Sequence, residues 1–276
     1  MHTSPLAGPQ PKSQKATVRM PAQERLLALS QVSKNFGGVQ AVKDLSFEVN
    51  SNEIVGLIGP NGSGKSTSVN LISGAVPPSS GEIFWRGQNV SKLAISQRVP
   101  LGMARTFQTT SLLSESTVLD QVLTACHTCY GVSPWASVLR TKSARAQEDR
   151  QHLKAQELVE FVGLGEVAGN LTTAISSAQQ RLLMIATALA AEPKLILLDE
   201  PAAGMVAKER KDLAELIMRI RQRGLAVLVI EHHMGLIMEV CDRIAVLNFG
   251  QKIAEGRPEE IQKNAAVIEA YLGGAH

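Results

Sequence analysis

Residues 54–58 read Ile-Val-Gly-Leu-Ile, an apolar run rich in β-branched residues. Such a run predicts a strand buried on both faces, as in a parallel sheet. Leu195–Leu198 and Ala226–Ile230 have the same character. Leu26–Val32 and Leu45–Val49 alternate apolar and polar positions instead, which predicts antiparallel strands with one wet face. Lys34-Asn35-Phe36-Gly37-Gly38 reads as the turn between them. Pro77-Pro78-Ser79-Ser80-Gly81 breaks the chain before a strand at Glu82–Arg86, and further strands are expected at Gly102–Phe107, Arg243–Leu247 and Lys252–Ala254.

The helical pattern begins at Lys65, with Val69 and Ile72 three apart and Gly74 as the stop. Ser116–Thr124 and Ala144–Val162 read as helices, the second with Leu153, Leu158, Phe161 and Val162 as its apolar positions. Ser177–Ala191 and Ala207–Arg223 follow, Gly224 lies past the end of the latter, and a helix starts near Met234. Apolar strands alternating with helices predict an α/β fold: a parallel sheet covered on both faces, with antiparallel strands at the N-terminus. The stretch from about 90 to 189 holds one strand-like piece among helices, so it reads as an inserted α-helical subdomain between core segments 25–89 and 190–276. Residues 1–24 mix Pro, Ser, Gln, Lys and Ala without periodicity and read as a disordered tail.

Composition narrows the functional classes. Only 4% of the 276 residues are aromatic, which argues against a base-stacking nucleic-acid platform. The net charge of +3 is carried by Lys12, Lys15, Arg19 and Arg25 against Glu24, so the rest of the chain is balanced and no basic face for DNA is implied. No apolar run reaches the ~20 residues that span a bilayer. Three cysteines in a chain of this size fit a reducing compartment, and a cytosolic location follows as the expectation.

The sharpest motif follows the first apolar strand. Gly59-Pro60-Asn61-Gly62-Ser63-Gly64-Lys65-Ser66 fits G-x-x-x-x-G-K-[ST], with Thr67 next, and lies between a strand and a helix. In that setting backbone N–H groups and the helix dipole cradle phosphates, Lys65 reaches the β- and γ-phosphates, and Ser66 ligates magnesium. The implied ligands are ATP and Mg2+. Asp199 and Glu200 end a buried strand, where α/β sheets place their ligands. Asp199 is expected to help hold the metal, while Glu200, pointing elsewhere by strand alternation, polarises water as general base. His232 follows the next apolar strand and should reach the same sheet edge.

In order, these motifs resemble the ATP-binding cassette of ABC transporters across nearly all of residues 26–273. The further matches are Arg105-Thr106-Phe107-Gln108, the signature-like Ser176-Ser177-Ala178-Gln179-Gln180, and Glu231-His232. More narrowly the chain looks like the LivG-type ATPase of branched-chain amino-acid importers, on Lys34–Gly38, Arg105–Gln108, Asp199–Gly204, Glu231–Met234 and the ending Ala270–Gly273. The resemblance implies that Phe36 stacks on adenine and that Gln108 senses magnesium and the attacking water. It implies that His232 is the switch histidine, and that Ser176, Ala178 and Gln179 face the P-loop of a second cassette. The implied partners are a LivF-type cassette, membrane permease subunits and, indirectly, an external solute-binding protein, with the chain peripheral on the inner face of the membrane. No nucleic acid is among them.

Three departures mark the face toward the second cassette. Ala178 stands where the family signature has Gly, Met205-Val206-Ala207 replace the usual Leu-Asn-Pro, and Leu182, Met184 and Thr187 replace common charges. If position 178 required positive φ, alanine would slow one site of an asymmetric pair. A catalytically weak regulatory cassette is therefore a rival reading; a soluble ABC protein acting on DNA or ribosomes is another, disfavoured by the single cassette. Cys126-His127-Thr128-Cys129 has no second pair to complete a zinc site, and Trp135 with Arg140, Lys142 and Arg145 reads as a loop with a solvated basic flank.

Overall fold

The apolar strands assemble side by side at the centre of the protein. A computed structural model describes residues 24–106, 113–129 and 142–272. Within them β3 (Ile54–Ile58), β7 (Leu195–Asp199), β8 (Ala226–Ile230) and β9 (Arg243–Asn248) pair in parallel in the order β9-β3-β8-β7. Every residue of β3, β7 and β8 is buried, as their unbroken apolar runs require. Alternate side chains feed two cores. Ile54, Ile58, Ile196, Leu198, Val227 and Val229 enter one, while Val55, Leu57, Leu195, Leu197, Leu228 and Ile230 enter the other.

One edge departs from a purely parallel sheet. β10 (Gln251–Gly256) closes one edge antiparallel to β9, because the Phe249-Gly250 turn folds it straight back. At the other edge β6 (Met103–Arg105) pairs in parallel with β7. The chain therefore re-enters the core sheet inside the stretch read as helical, and the strand is shorter than the predicted Gly102–Phe107.

The second sheet has the order β2-β1-β4-β5 and is antiparallel. Its strands β1 (Arg25–Phe36) and β2 (Val39–Asn50) are longer than the alternation predicted, and the turn shrinks to Gly37-Gly38. A register shift between Arg25 and Leu27 places both Leu26 and Leu27 in the core, so simple alternation fails there. β4 spans Ser80–Trp85 and leads to β5 (Gln88–Asn89). This sheet and helix α1 (Lys65–Ser73) share one core with the face of the main sheet carrying Val55 and Leu57.

Helices α3 (Val118–Cys129), α4 (Lys142–Phe161) and α5 (Ser177–Leu189) contribute to the opposite core, as does α6 (Ala207–Gln222). Of the apolar positions predicted for α4, Leu153 is 59% exposed; the buried face is Ala155, Leu158, Val159 and Val162. Phe161 is half-buried under the guanidinium groups of Arg219 and Arg223. Cys126 lies in this core. Helices α7 (Met234–Val240), α8 (Pro258–Gln262) and α9 (Ala265–Leu272) complete the described chain, in which no helix is long and apolar enough to cross a membrane. Residues 1–23, Phe107, Gln108, Trp135 and Arg140 lie outside the described residues.

Helix α2 (Ile95–Arg98) carries a side chain that periodicity does not reveal. Arg98 is 1% exposed and donates to the carbonyls of Leu71 and Ile72 at the end of α1, and to those of Val90 and Leu93. Burial pushes its guanidinium down to about 10, so it still carries its charge at neutral pH. A cation at that end of α1 also complements the helix dipole. Gly74 makes room for it: at φ 84, a Cβ there would lie 2.7 Å from Arg98 Nε.

Arg98→Met is expected to destabilise the protein by roughly 3 kcal/mol or more, since it leaves several buried carbonyls without donors. Urea denaturation should read the loss as a lower midpoint, and Arg98→Lys should recover only part. Val206 offers the opposite test. It is the N-cap of α6, it is 62% exposed, and its side chain can accept no hydrogen bond, although Glu209 Oε2 accepts its N–H at 2.9 Å. Val206→Thr keeps the shape and supplies an acceptor, so denaturation should show a gain of about 0.5–2 kcal/mol.

Candidate functional site

The loop after β3 is held open from behind by backbone packing. Gly64, the N-cap of α1, has φ 99, and a Cβ there would meet the Ala41 carbonyl oxygen at 2.6 Å. The Gly250 N–H donates to the Ser63 carbonyl at 3.0 Å, and the Lys43 N–H donates to the Gly250 carbonyl at 2.8 Å. The loop is thus clasped between β2 and the β9–β10 turn. Its front forms a groove of about 350 Å3 lined by Gly62–Thr67, Val39, Gln40, Ala41, Phe249 and Gly250. Asn61, Gly62 and Ser66 are exposed.

Lys65 is 8% exposed, and its ammonium donates to the carbonyls of Gly59 at 2.8 Å and Pro60 at 2.9 Å. Burial pushes its pKa down, and the charge of Glu200 pulls it back up. A partly desolvated cation at a helix N-terminus, under a loop of backbone N–H groups, is a binding site for phosphate. Ser63 Oγ, also buried, accepts or donates no hydrogen bond within the described structure.

The acidic strand behaves differently from the alternation argument. Asp199 ends β7, but Glu200 adopts φ 48 and turns out of the strand, its N–H still bonded to the Ile230 carbonyl at 2.9 Å. Its direction is set by this left-handed turn. Such a conformation is costly for a residue with a Cβ, and strain of this kind clusters where a side chain must be aimed. Asp199 is 4% exposed; its Oδ2 accepts from Arg105 Nη2 at 2.8 Å, while Oδ1 is buried and receives no hydrogen bond among the described residues. A buried carboxylate oxygen that receives no hydrogen bond among the described residues has the chemistry of a ligand for a divalent metal.

Glu231 is the residue that the sequence argument passed over. It is fully buried: Oε1 accepts the Ala202 N–H at 2.7 Å, and Oε2 accepts the N–H groups of His232 at 3.0 Å and His233 at 3.2 Å. One carboxylate therefore ties the loop after Glu200 to the turn carrying His232. The His232 ring is exposed, with Nδ1 3.7 Å from Glu231 Oε2. Arg181 of α5 adds a bond to the Glu200 carbonyl at 3.2 Å. The only sequence signal for Glu231 was its place beside His232.

The remaining expected residues are scattered. Phe36 is half exposed beneath the Lys34 ammonium, 5.1 Å from the ring centroid, and does not line the groove, where Val39 and Phe249 supply the apolar surface. Ser176 caps α5 by accepting the Gln179 N–H at 3.2 Å, and the Gln179 side chain accepts the Ser176 N–H at 2.9 Å. Ala178 sits inside the first turn of that helix with its methyl buried in the core. It is absent from the positive-φ residues, so the strain considered for it does not arise. None of these three residues lines its own chain's groove. Met205 is buried, so its departure from the family pattern is accommodated by packing.

This geometry has counterparts among known proteins. Residues 251–276 match the family described as branched-chain amino acid ATP-binding cassette transporter. The chain is 39% identical over 251 residues to the high-affinity branched-chain amino acid transport ATP-binding protein LivG of Salmonella typhimurium, covering 91% of this chain and 98% of that one. It is 37% identical to the corresponding protein BraF of Pseudomonas aeruginosa, with the same coverage. A crystal structure of the ADP conformation of MJ1267, an ATP-binding cassette of an ABC transporter, superposes with a TM-score of 0.79 at 31% identity, covering 90% of this chain and 99% of that one. Residues 42–203, which hold the phosphate loop, the signature-like turn and the acidic strand, match the ABC transporter family, and the chain belongs to it.

Proposed function

We propose that this chain is the ATP-binding and ATP-hydrolysing subunit of a membrane importer for branched-chain or other amino acids. The observation that carries the reading is Lys65, buried at the mouth of the glycine loop and within electrostatic reach of Glu200. That juxtaposition supplies a fixed cation for the phosphates and a carboxylate for the attacking water. The likeness to LivG and BraF supports the choice of cargo.

In this reading Gly59–Thr67 bind the triphosphate, Glu200 is the general base, and His232 contacts the γ-phosphate from the turn that Glu231 holds. Ser66 and Asp199 would hold magnesium, which neutralises phosphate charge when bound. Ser176, Ala178 and Gln179 would complete the site of a second, LivF-type cassette. The helical part, about 90–189 apart from β6, would carry the signature and move with that partner. An apolar cavity between it and the core, lined by Met103, Ala104, Thr106, Ala125, Met184 and Ala188, would receive a segment of the permease. The assembly would sit against the inner face of the membrane and accept solute from an external binding protein.

Lys65→Ala should abolish tight nucleotide binding. Magnesium-ATP at ~100 times its dissociation constant should stabilise the wild type by about 2.7 kcal/mol, and the mutant should lose that shift. Equal thermal shifts in both would reject the assignment of the loop. Glu200→Gln should bind ATP normally yet hydrolyse it more slowly by roughly 10² or more in the assembled complex. Wild-type turnover by that variant would show that another group activates the water.

A further inference from the structure

We propose that Arg105 is a positioning residue for Asp199, holding one carboxylate oxygen so that the other is presented to magnesium. The inference rests on reading Asp199 as the acidic ligand of the nucleotide site.

Arg105 ends β6 at the edge of the main sheet. Its guanidinium joins two neighbouring elements. Nη2 donates to Asp199 Oδ2 at 2.8 Å on β7; Nη1 donates to Asn70 Oδ1 at 2.7 Å and to Ser73 Oγ at 3.2 Å, both on α1. β7 and β3, the strand that precedes α1, are separated in the sheet by β8. The acidic strand end is therefore tied sideways to the same helix that begins at Lys65. The side chains of the pair are only 12% and 1% exposed.

A purely stabilising ion pair is a poor account of this geometry. Burying two charges costs about as much as their attraction returns. A structural aspartate at this depth would also have both oxygens satisfied, because a buried acceptor without a donor is costly. Here Oδ2 is bonded and Oδ1, equally buried, receives no hydrogen bond among the described residues. The planar fork fixes the orientation of the carboxylate, and the free oxygen is what the orientation presents. Arg105 also lines the cavity between the core and the helical part, beside Met184, Thr187 and Ala188 of α5. Whatever fills that cavity acts on a side chain one bond away from the metal carboxylate.

The test is calorimetric titration of the full chain with ATP, once with magnesium chloride and once with EDTA. Asp199→Asn comes first: it should lose the gain in affinity that magnesium brings, and if it keeps the full gain the reading of Asp199 fails. With that control in place, Arg105→Met should cut the magnesium-dependent gain by about tenfold to a hundredfold, the usual effect of removing a group that orients a metal ligand. Its affinity in EDTA should stay unchanged. Arg105→Lys keeps the charge without the fork and should recover part of the gain. An undiminished magnesium gain in Arg105→Met and Arg105→Lys would overturn the proposal. An equal loss with and without magnesium would also overturn it, because Arg105 would then support the whole groove. Should Arg105→Met fail to fold, Arg105→Lys decides alone: a reduced magnesium gain supports the proposal and an undiminished one overturns it.

Discussion

A helix that begins at a phosphate-binding loop is useful only if its first turn keeps its place on the sheet. Here that place is held by main-chain contact. The Ala41 carbonyl lies so close to Gly64 that no side chain fits between them, and Gly250 bonds to both Ser63 and Lys43. The far end of α1 is held by Arg98, whose guanidinium closes the carbonyls of Leu71 and Ile72. Because α1 is fixed at both ends, the Lys65 ammonium can be buried against Gly59 and Pro60. A buried cation left to wander would instead be drawn out to water.

The acidic side of the site is assembled by the same logic, through side chains that bridge elements. Arg105 joins Asp199 to α1, Arg181 joins α5 to the Glu200 carbonyl, and Glu231 joins the loop after Glu200 to the His232 turn. Each bridge gives a charged side chain a specific partner on a second element, which offsets part of the cost of burial. Arg181 ties α5 to the Glu200 turn, and Glu231 ties the His232 turn to the loop after Glu200.

Much of the central sheet and of the phosphate loop could be read from residue order. Ile54–Ile58, Leu195–Asp199 and Ala226–Ile230 are apolar throughout, and only strands covered on both faces tolerate that. The glycine and lysine spacing of Gly59–Ser66 identified the loop because its chemistry depends on neighbouring backbone groups. The start of β1 was harder: an irregularity between Arg25 and Leu27 puts the successive residues Leu26 and Leu27 in one core, which alternation cannot express. Leu153 was misjudged for a related reason, since one turn of a helix offers several apolar positions and only packing selects the buried face.

By itself the sequence determined what local periodicity and contiguous motifs can encode: strands, helices, the loop and the family to which they belong. The tertiary structure alone decided which distant groups Arg98, Arg105 and Glu231 reach: the Leu71 and Ile72 carbonyls, Asp199 with Asn70, and the Ala202 N–H. It also decided that Glu200 leaves its strand through a left-handed turn and that Ala178 rests unstrained in a helix. The physical reason is common to all of them. The worth of a buried charge, and the backbone angle beside it, depend on groups that only the fold brings within hydrogen-bonding distance.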